Sequence, residues 1–80
     1  MPKEITLPED TRTFTKTGPA SSIVGRTGSY FAAGTTLTID EPCSMVYDHR
    51  DQVFVQVLAP QEFKGLLLIL EELGIPELTN

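Results

Sequence analysis

Polar and apolar positions follow the period of a β-strand over Thr11 to Thr17 and in segments from Ser29 to Leu58, the rest of residues 1–29 is loop-like in composition, and after Leu58 the spacing reads as helical. From Thr11 to Thr17, Thr13, Thr15 and Thr17 alternate with Arg12, Phe14 and Lys16, which predicts an edge strand. Gly18-Pro19-Ala20-Ser21-Ser22 should then form a surface loop, because proline lacks a donor and glycine frees the backbone. A single helical turn capped by Ser21 or Ser22 is the alternative there. Ser29 to Ala32 reads as a second strand, and Thr35 to Ile39 as a third, with Leu37 and Ile39 on one face and Thr36 and Thr38 on the other. Gly34 between them suggests a hairpin, and Asp40-Glu41-Pro42 stops the third strand.

The stretch from Cys43 to Leu58 predicts a further hairpin around the polar insert Asp48-His49-Arg50-Asp51. A loop centred on His49-Arg50 pairs Tyr47 with Gln52, Val46 with Val53 and Met45 with Phe54. One face then carries Val46, Val53, Val55 and Val57, and the other Cys43, Met45, Tyr47, Phe54 and Leu58. Both faces are apolar, so both need a cover: a C-terminal helix on one, and the N-terminal strand or another subunit on the other.

The helix is expected over Pro60 to Leu73. Pro60 fits a first-turn position, Glu62 favours the N-terminal dipole, Gly74 is placed to end the helix, and Pro76 blocks continuation. Phe63, Leu66, Leu67, Leu70 and Leu73 form one stripe on a helical wheel. Leu68 falls outside it with Gly65, and Ile69 flanks it. Two explanations stand side by side: Gly65, Leu68 and Ile69 form a second contact face toward another molecule, or the sheet curls round and buries Leu68 internally.

Composition narrows the class. The chain has 80 residues, enough for a single small domain, here expected over 11–80 behind a flexible arm of residues 1–10. Six Lys and Arg against eleven Asp and Glu give a net charge of −5, which opposes a partner built of phosphates. The N-terminus lacks a basic start and an apolar run, so a cytoplasmic location is expected. The apolar run from Leu66 to Leu70 is far below the roughly 20 residues that cross a bilayer, so no membrane association is expected. With one cysteine, no intramolecular disulfide framework can form.

Reactive groups are sparse. Cys43 and His49 are separated by six extended residues, up to about 20 Å, so the strand holds them apart as a thiol–imidazole pair. Asp48, His49 and Asp51 are neighbours on one loop and offer no tetrahedral ligand set, so no metal or other cofactor is expected. Gly25-Arg26-Thr27-Gly28-Ser29 lacks the spacing of a phosphate loop and reads as a flexible turn. Tyr30, Phe31, Tyr47 and Phe54 could stack bases on a small barrel, against the charge balance. His49 and Arg50, held between two carboxylates, suit a recognition loop.

The resulting expectation is an α+β domain: three or four antiparallel strands, as a meander or partly open barrel, with one C-terminal helix packed on them. The leading function is a non-catalytic, regulatory protein-interaction module of bacterial, phage or mobile-element type, binding a larger protein partner and forming a homodimer. Its contact residues would be Gly65, Leu68, Ile69, His49 and Arg50. The rivals are a structural accessory subunit of an assembly such as a virion, and a small-barrel nucleic-acid-binding protein.

Overall fold

The computed structural model describes residues 1–18 and 23–79, so the loop expected over 18–22, all but its first residue, and the cap at Ser21 or Ser22 lie outside the described residues. Seven antiparallel strands run in chain order: β1 (Lys3–Thr6), β2 (Thr11–Lys16), β3 (Val24–Phe31), β4 (Thr36–Ile39), β5 (Cys43–Tyr47), β6 (Arg50–Ala59) and β7 (Leu67–Ile69). Short 3₁₀ turns cover Gln61–Phe63 and Leu70–Leu73, and one helical turn, α1, covers Pro76–Thr79. The α+β expectation is therefore overturned. The domain is mostly β, and among the described residues its one α-helix is the single turn α1, not the expected helix over 60–73.

The error lies in residues 60–73. After three residues of 3₁₀ turn, the chain turns at Gly65, whose φ of 99° an ordinary helix cannot use. Leu67, Leu68 and Ile69 then form β7, inserted between β6 and β2 and buried on both faces. A strand covered on both sides reads as a continuous apolar run with no alternation, and Leu66 to Leu70 is such a run. The stop signal behaves differently. Gly74 does adopt the left-handed conformation and ends Leu70–Leu73, although Pro76 opens α1.

Residues 1–10 also depart from expectation, because Lys3–Thr6 pairs with β4 in unbroken register from Lys3↔Ile39 to Thr6↔Thr36. Ile5 and Leu7 are buried while Glu4 and Thr6 are exposed, the period-2 signature of a strand on a core. The hairpin expected around Gly34 does not form. The Thr35 amide donates to the Ala32 carbonyl across a turn with Gly34 at φ 88°, but that turn carries the chain from β3, paired with β2, to β4, paired with β1 and β6.

The β5–β6 hairpin forms with a shifted register. Its two-residue loop is Asp48-His49, at φ 53° and 63°, so Tyr47 faces Arg50, Met45 faces Gln52 and Cys43 faces Phe54. Two left-handed residues make the loop that matches strand twist. The expected register would have set Asp48 against Asp51, two like charges directly opposed. A shift of two keeps every side chain on its expected face.

β6 organises the rest. Its first half pairs with β5, its last residues pair with β4 on the same edge, and β7 lies on its other edge. An isolated parallel bridge between Ile23 and Val46 brings the start of β3 against β5, so β5, β6, β7, β2 and β3 close on themselves. Inside this small barrel sit Phe14, Val24, Met45, Phe54, Leu67 and Ile69. Phe14 meets Phe54 and Tyr47 edge-on, with centroids 5.4 and 4.9 Å away. The opposite side of β6 and β7 presents Val55, Val57 and Leu68 to Ile5, Leu7, Leu37, Ile39, Phe31 and Leu73, a second core under the β1–β4 layer. The inner face of the hairpin is covered by the barrel, and the opposite face is covered by the same chain at Val55 and Val57 but not at Ser44 and Val53.

Among the described residues, every buried side-chain nitrogen and oxygen has a hydrogen-bond partner. Between the pairs Arg12↔Tyr30 and Phe14↔Arg26, Thr13 alone opposes Thr27, Gly28 and Ser29, a bulge that Gly28 permits at φ 85°. The buried Thr13 hydroxyl donates to the Ser29 carbonyl and meets the hydroxyls of Thr27 and Ser29, which fills the space the bulge opens.

Candidate functional site

The five residues expected to contact a partner do not converge. Leu68 is 0% exposed in the core under β1 and β4, and Ile69 is buried in the barrel. The face that was to carry them beside Gly65 requires a helix that is absent, and Leu68 is buried internally as a strand residue and not by a sheet curled round a helix. Gly65 is exposed in the turn before β7, its amide donating to the Val57 carbonyl. His49 and Arg50 are exposed at the hairpin tip, seven residues back along β6 from Val57, or about 23 Å of strand.

The hairpin nevertheless presents a surface of its own. Along its outer face Ser44, Val46, Asp51 and Val53 share one side, because Val46 opposes Asp51 and Ser44 opposes Val53. Val24 points into the barrel, so Ile23 points outward, and the bridge sets it beside Val46. Ile23 is 55% exposed, Val53 is 39% exposed and Val46 is half-buried. Three β-branched aliphatic residues therefore occupy neighbouring positions on the outer face, two exposed and one half-buried, with Val53 one diagonal step of about 7–8 Å from Val46. The sequence holds a signal for this patch: Ile23 and Val24 are adjacent at a strand start, so one of them must face out.

Arg12 ties distant parts of the chain together. Its guanidinium makes a two-pronged pair with Glu72, at 2.6 to 3.1 Å, and lies 5.1 and 5.7 Å from the ring centres of Phe14 and Tyr47. The Glu72 hydrogen bond is the largest influence on Arg12 and holds its pKa above the ordinary value. Both side chains are about one-third exposed, so the pair is worth at most about 1 kcal/mol. Sixty residues separate the partners, and no local pattern announces the contact.

Beside this clasp runs an open groove of about 570 Å³, lined by Glu9, Asp10, Arg12, Tyr30, Glu71 and Glu72 among others. Asp10 is engaged, accepting the Ala33 amide at 2.9 Å. The groove holds no nucleophile with an adjacent base. Cys43 is a free, exposed thiol at the start of β5, while His49 lies beyond the other end of that strand. Among the described residues, no three His, Cys, Asp or Glu side chains are grouped to hold a metal ion, and no helix is long and apolar enough to cross a membrane.

No family model, curated protein or solved structure matches the chain. The functional reading therefore rests on the surface alone.

Proposed function

We propose that the chain is a small non-catalytic protein-interaction module that docks on a larger protein through the outer face of its β5–β6 hairpin. The patch of Ile23, Val46 and Val53 carries this reading. Apolar side chains on a short, rigid hairpin can be removed from water without reordering the backbone, so the gain from burial is not offset by chain ordering. At roughly 25 cal/mol per Å², even a few hundred Å² of such surface outweighs an exposed ion pair. Asp48 and Asp51 border the patch and the chain carries −5 overall, which favours a partner whose own apolar spot is rimmed by Lys or Arg. His49 and Arg50 at the tip add directional donors at one end of the same hairpin. A nucleic-acid partner is disfavoured by Tyr30, the most exposed aromatic ring at 65%, which shares its groove with the carboxylates of Glu9, Asp10, Glu71 and Glu72 and with one cation, Arg12, that is already paired with Glu72.

The test places a photo-cross-linking residue at position 53 in the cells that make the chain. A discrete adduct that disappears in Ile23→Ser and is absent when the cross-linker sits at the exposed Glu62 supports the proposal. Equal, diffuse labelling from both positions would overturn it. An adduct of two copies of the chain would replace the larger partner with a homodimer.

A further inference from the structure

A seven-stranded sheet that closes only part of itself leaves strand edges, and this chain treats its two free edges differently. The outer edge of β3 is interrupted by the bulge at Gly28 and met at its start by Val46. Bulges of this kind block pairing with further strands. β1 has no such interruption: its register on β4 is unbroken over all four residues, and nothing pairs with its other side among the described residues.

The direction of its hydrogen bonds follows from the ladder. The Leu7 amide donates to the Thr35 carbonyl and the Leu7 carbonyl accepts from the Gly34 amide, so Leu7 faces β4. In an antiparallel ladder alternate residues share a direction, so Ile5 and Lys3 also face β4, while the N–H and C=O groups of Glu4 and Thr6 point away from it. The two outward pairs repeat at about 7 Å, the spacing of an extended backbone. Pro2 and Pro8 bound the window, since neither can donate.

The side chains beside this edge match the same occupant. A cavity of about 280 Å³ runs along Lys3, Glu4, Ile5 and Thr6, and its other wall is Ile75, Glu77 and Leu78. Ile75 and Leu78 are half-buried and pack on the core that also holds Ile5. A further strand on β1 would therefore set its inward side chains over the uncovered flank of that core and its outward ones beside Glu4 and Thr6. We infer that β1 is a strand-addition site for an extended peptide of alternating aliphatic and cationic residues, bound through the outward backbone groups of Glu4 and Thr6 with its aliphatic side chains against Ile75 and Leu78. Glu4, on the outward side, supplies the charge that pairs with the cations, while Lys3 and Glu77 in the cavity lining carry opposite charges. This surface is separate from the hairpin patch, and its test is read at β1 alone.

Because the Glu4 and Thr6 amides take no part in the β1–β4 ladder, proline at either position removes an outward donor and leaves the fold's own bonds in place. The probe is an end-blocked hexapeptide of alternating valine and lysine, added to the full chain while amide exchange is followed by NMR. The expected result is saturable binding, slower exchange at Glu4 and Thr6, no change at Ile5, and loss of binding in both Glu4→Pro and Thr6→Pro while their circular dichroism stays that of the parent. Unchanged exchange at Glu4 and Thr6 in the parent chain, which requires no variant to fold, would overturn the inference. So would proline variants that bind as the parent does. Protection of the same amides without peptide, rising with protein concentration, would overturn the peptide assignment in favour of a second copy of the chain on this edge.

Discussion

The two cores of this protein share β6 and β7 yet are enclosed in different ways. The barrel core around Phe14 and Phe54 is surrounded by strands that pair edge to edge and is sealed by the Ile23–Val46 bridge. The core around Leu68, Val55 and Val57 is roofed by the two-stranded β1–β4 layer, the turn Leu70–Leu73 and the single turn α1, and it keeps half-buried side chains at its margin. Backbone pairing leaves the first nothing to gain from a partner strand. The second ends on an open edge, and that is where a further strand would add both hydrogen bonds and apolar cover.

The largest test of this comparison is Leu68. Leu68→Ala should cost about 2–5 kcal/mol in urea denaturation, with a single transition, because removing one core loosens strands that also wall the other. Two separated transitions would show that the cores fold independently. Leu68→Glu should abolish folding at every protein concentration, as expected of a leucine buried by its own domain. Next is the bulge on the barrel side: Thr13→Val keeps the shape and deletes the hydroxyl, leaving its partners to find water, with an expected cost of about 1–3 kcal/mol. An unchanged midpoint would mean that Thr27 and Ser29 satisfy each other without it.

Arg12→Ala is expected to cost only about 1 kcal/mol, part of it from lost contact with the Phe14 and Tyr47 rings. Its folded pKa is raised, so its contribution is complete at every pH below the ordinary arginine value and is lost only as pH rises beyond the raised one. Added salt, and not mild alkali, should therefore reduce the difference between Arg12→Ala and the parent. The smallest effect should be a gain: His49→Gly relieves a left-handed residue in the hairpin loop and should stabilise by up to about 1 kcal/mol. If it stabilises while weakening the position-53 cross-link, the imidazole contributes to docking; an unchanged cross-link limits His49 to the turn.

Several elements were legible from local pattern. The threonine alternation of β2, the strand at Thr36–Ile39, the hairpin near Asp48 and the left-handed Gly74 all reflect interactions within a few residues, although β2 lies between β7 and β3 and is not the edge strand expected. The hairpin's register was not, because choosing between two loops needs the φ of Asp48 and His49. Residues 66–70 misled because a short apolar run fits one helical stripe as well as a strand buried on both sides, and only the strands around it decide. The candidate site was half legible. His49 and Arg50 are at the exposed tip as expected, whereas Ile23 joins Val46 through a bridge spanning 23 residues and the Arg12–Glu72 clasp spans 60.

By itself the sequence determined which residues alternate, where glycine and proline turn the chain, and that both faces of Cys43–Leu58 are apolar and seek cover, since these depend on neighbours close in the chain. Only the tertiary structure decided that β7 replaces a helix, that the cover comes from this chain, and that β1 keeps one side open. Strand partners are chosen across the whole chain by which surfaces and hydrogen bonds remain unpaired, and no window of residues contains that information.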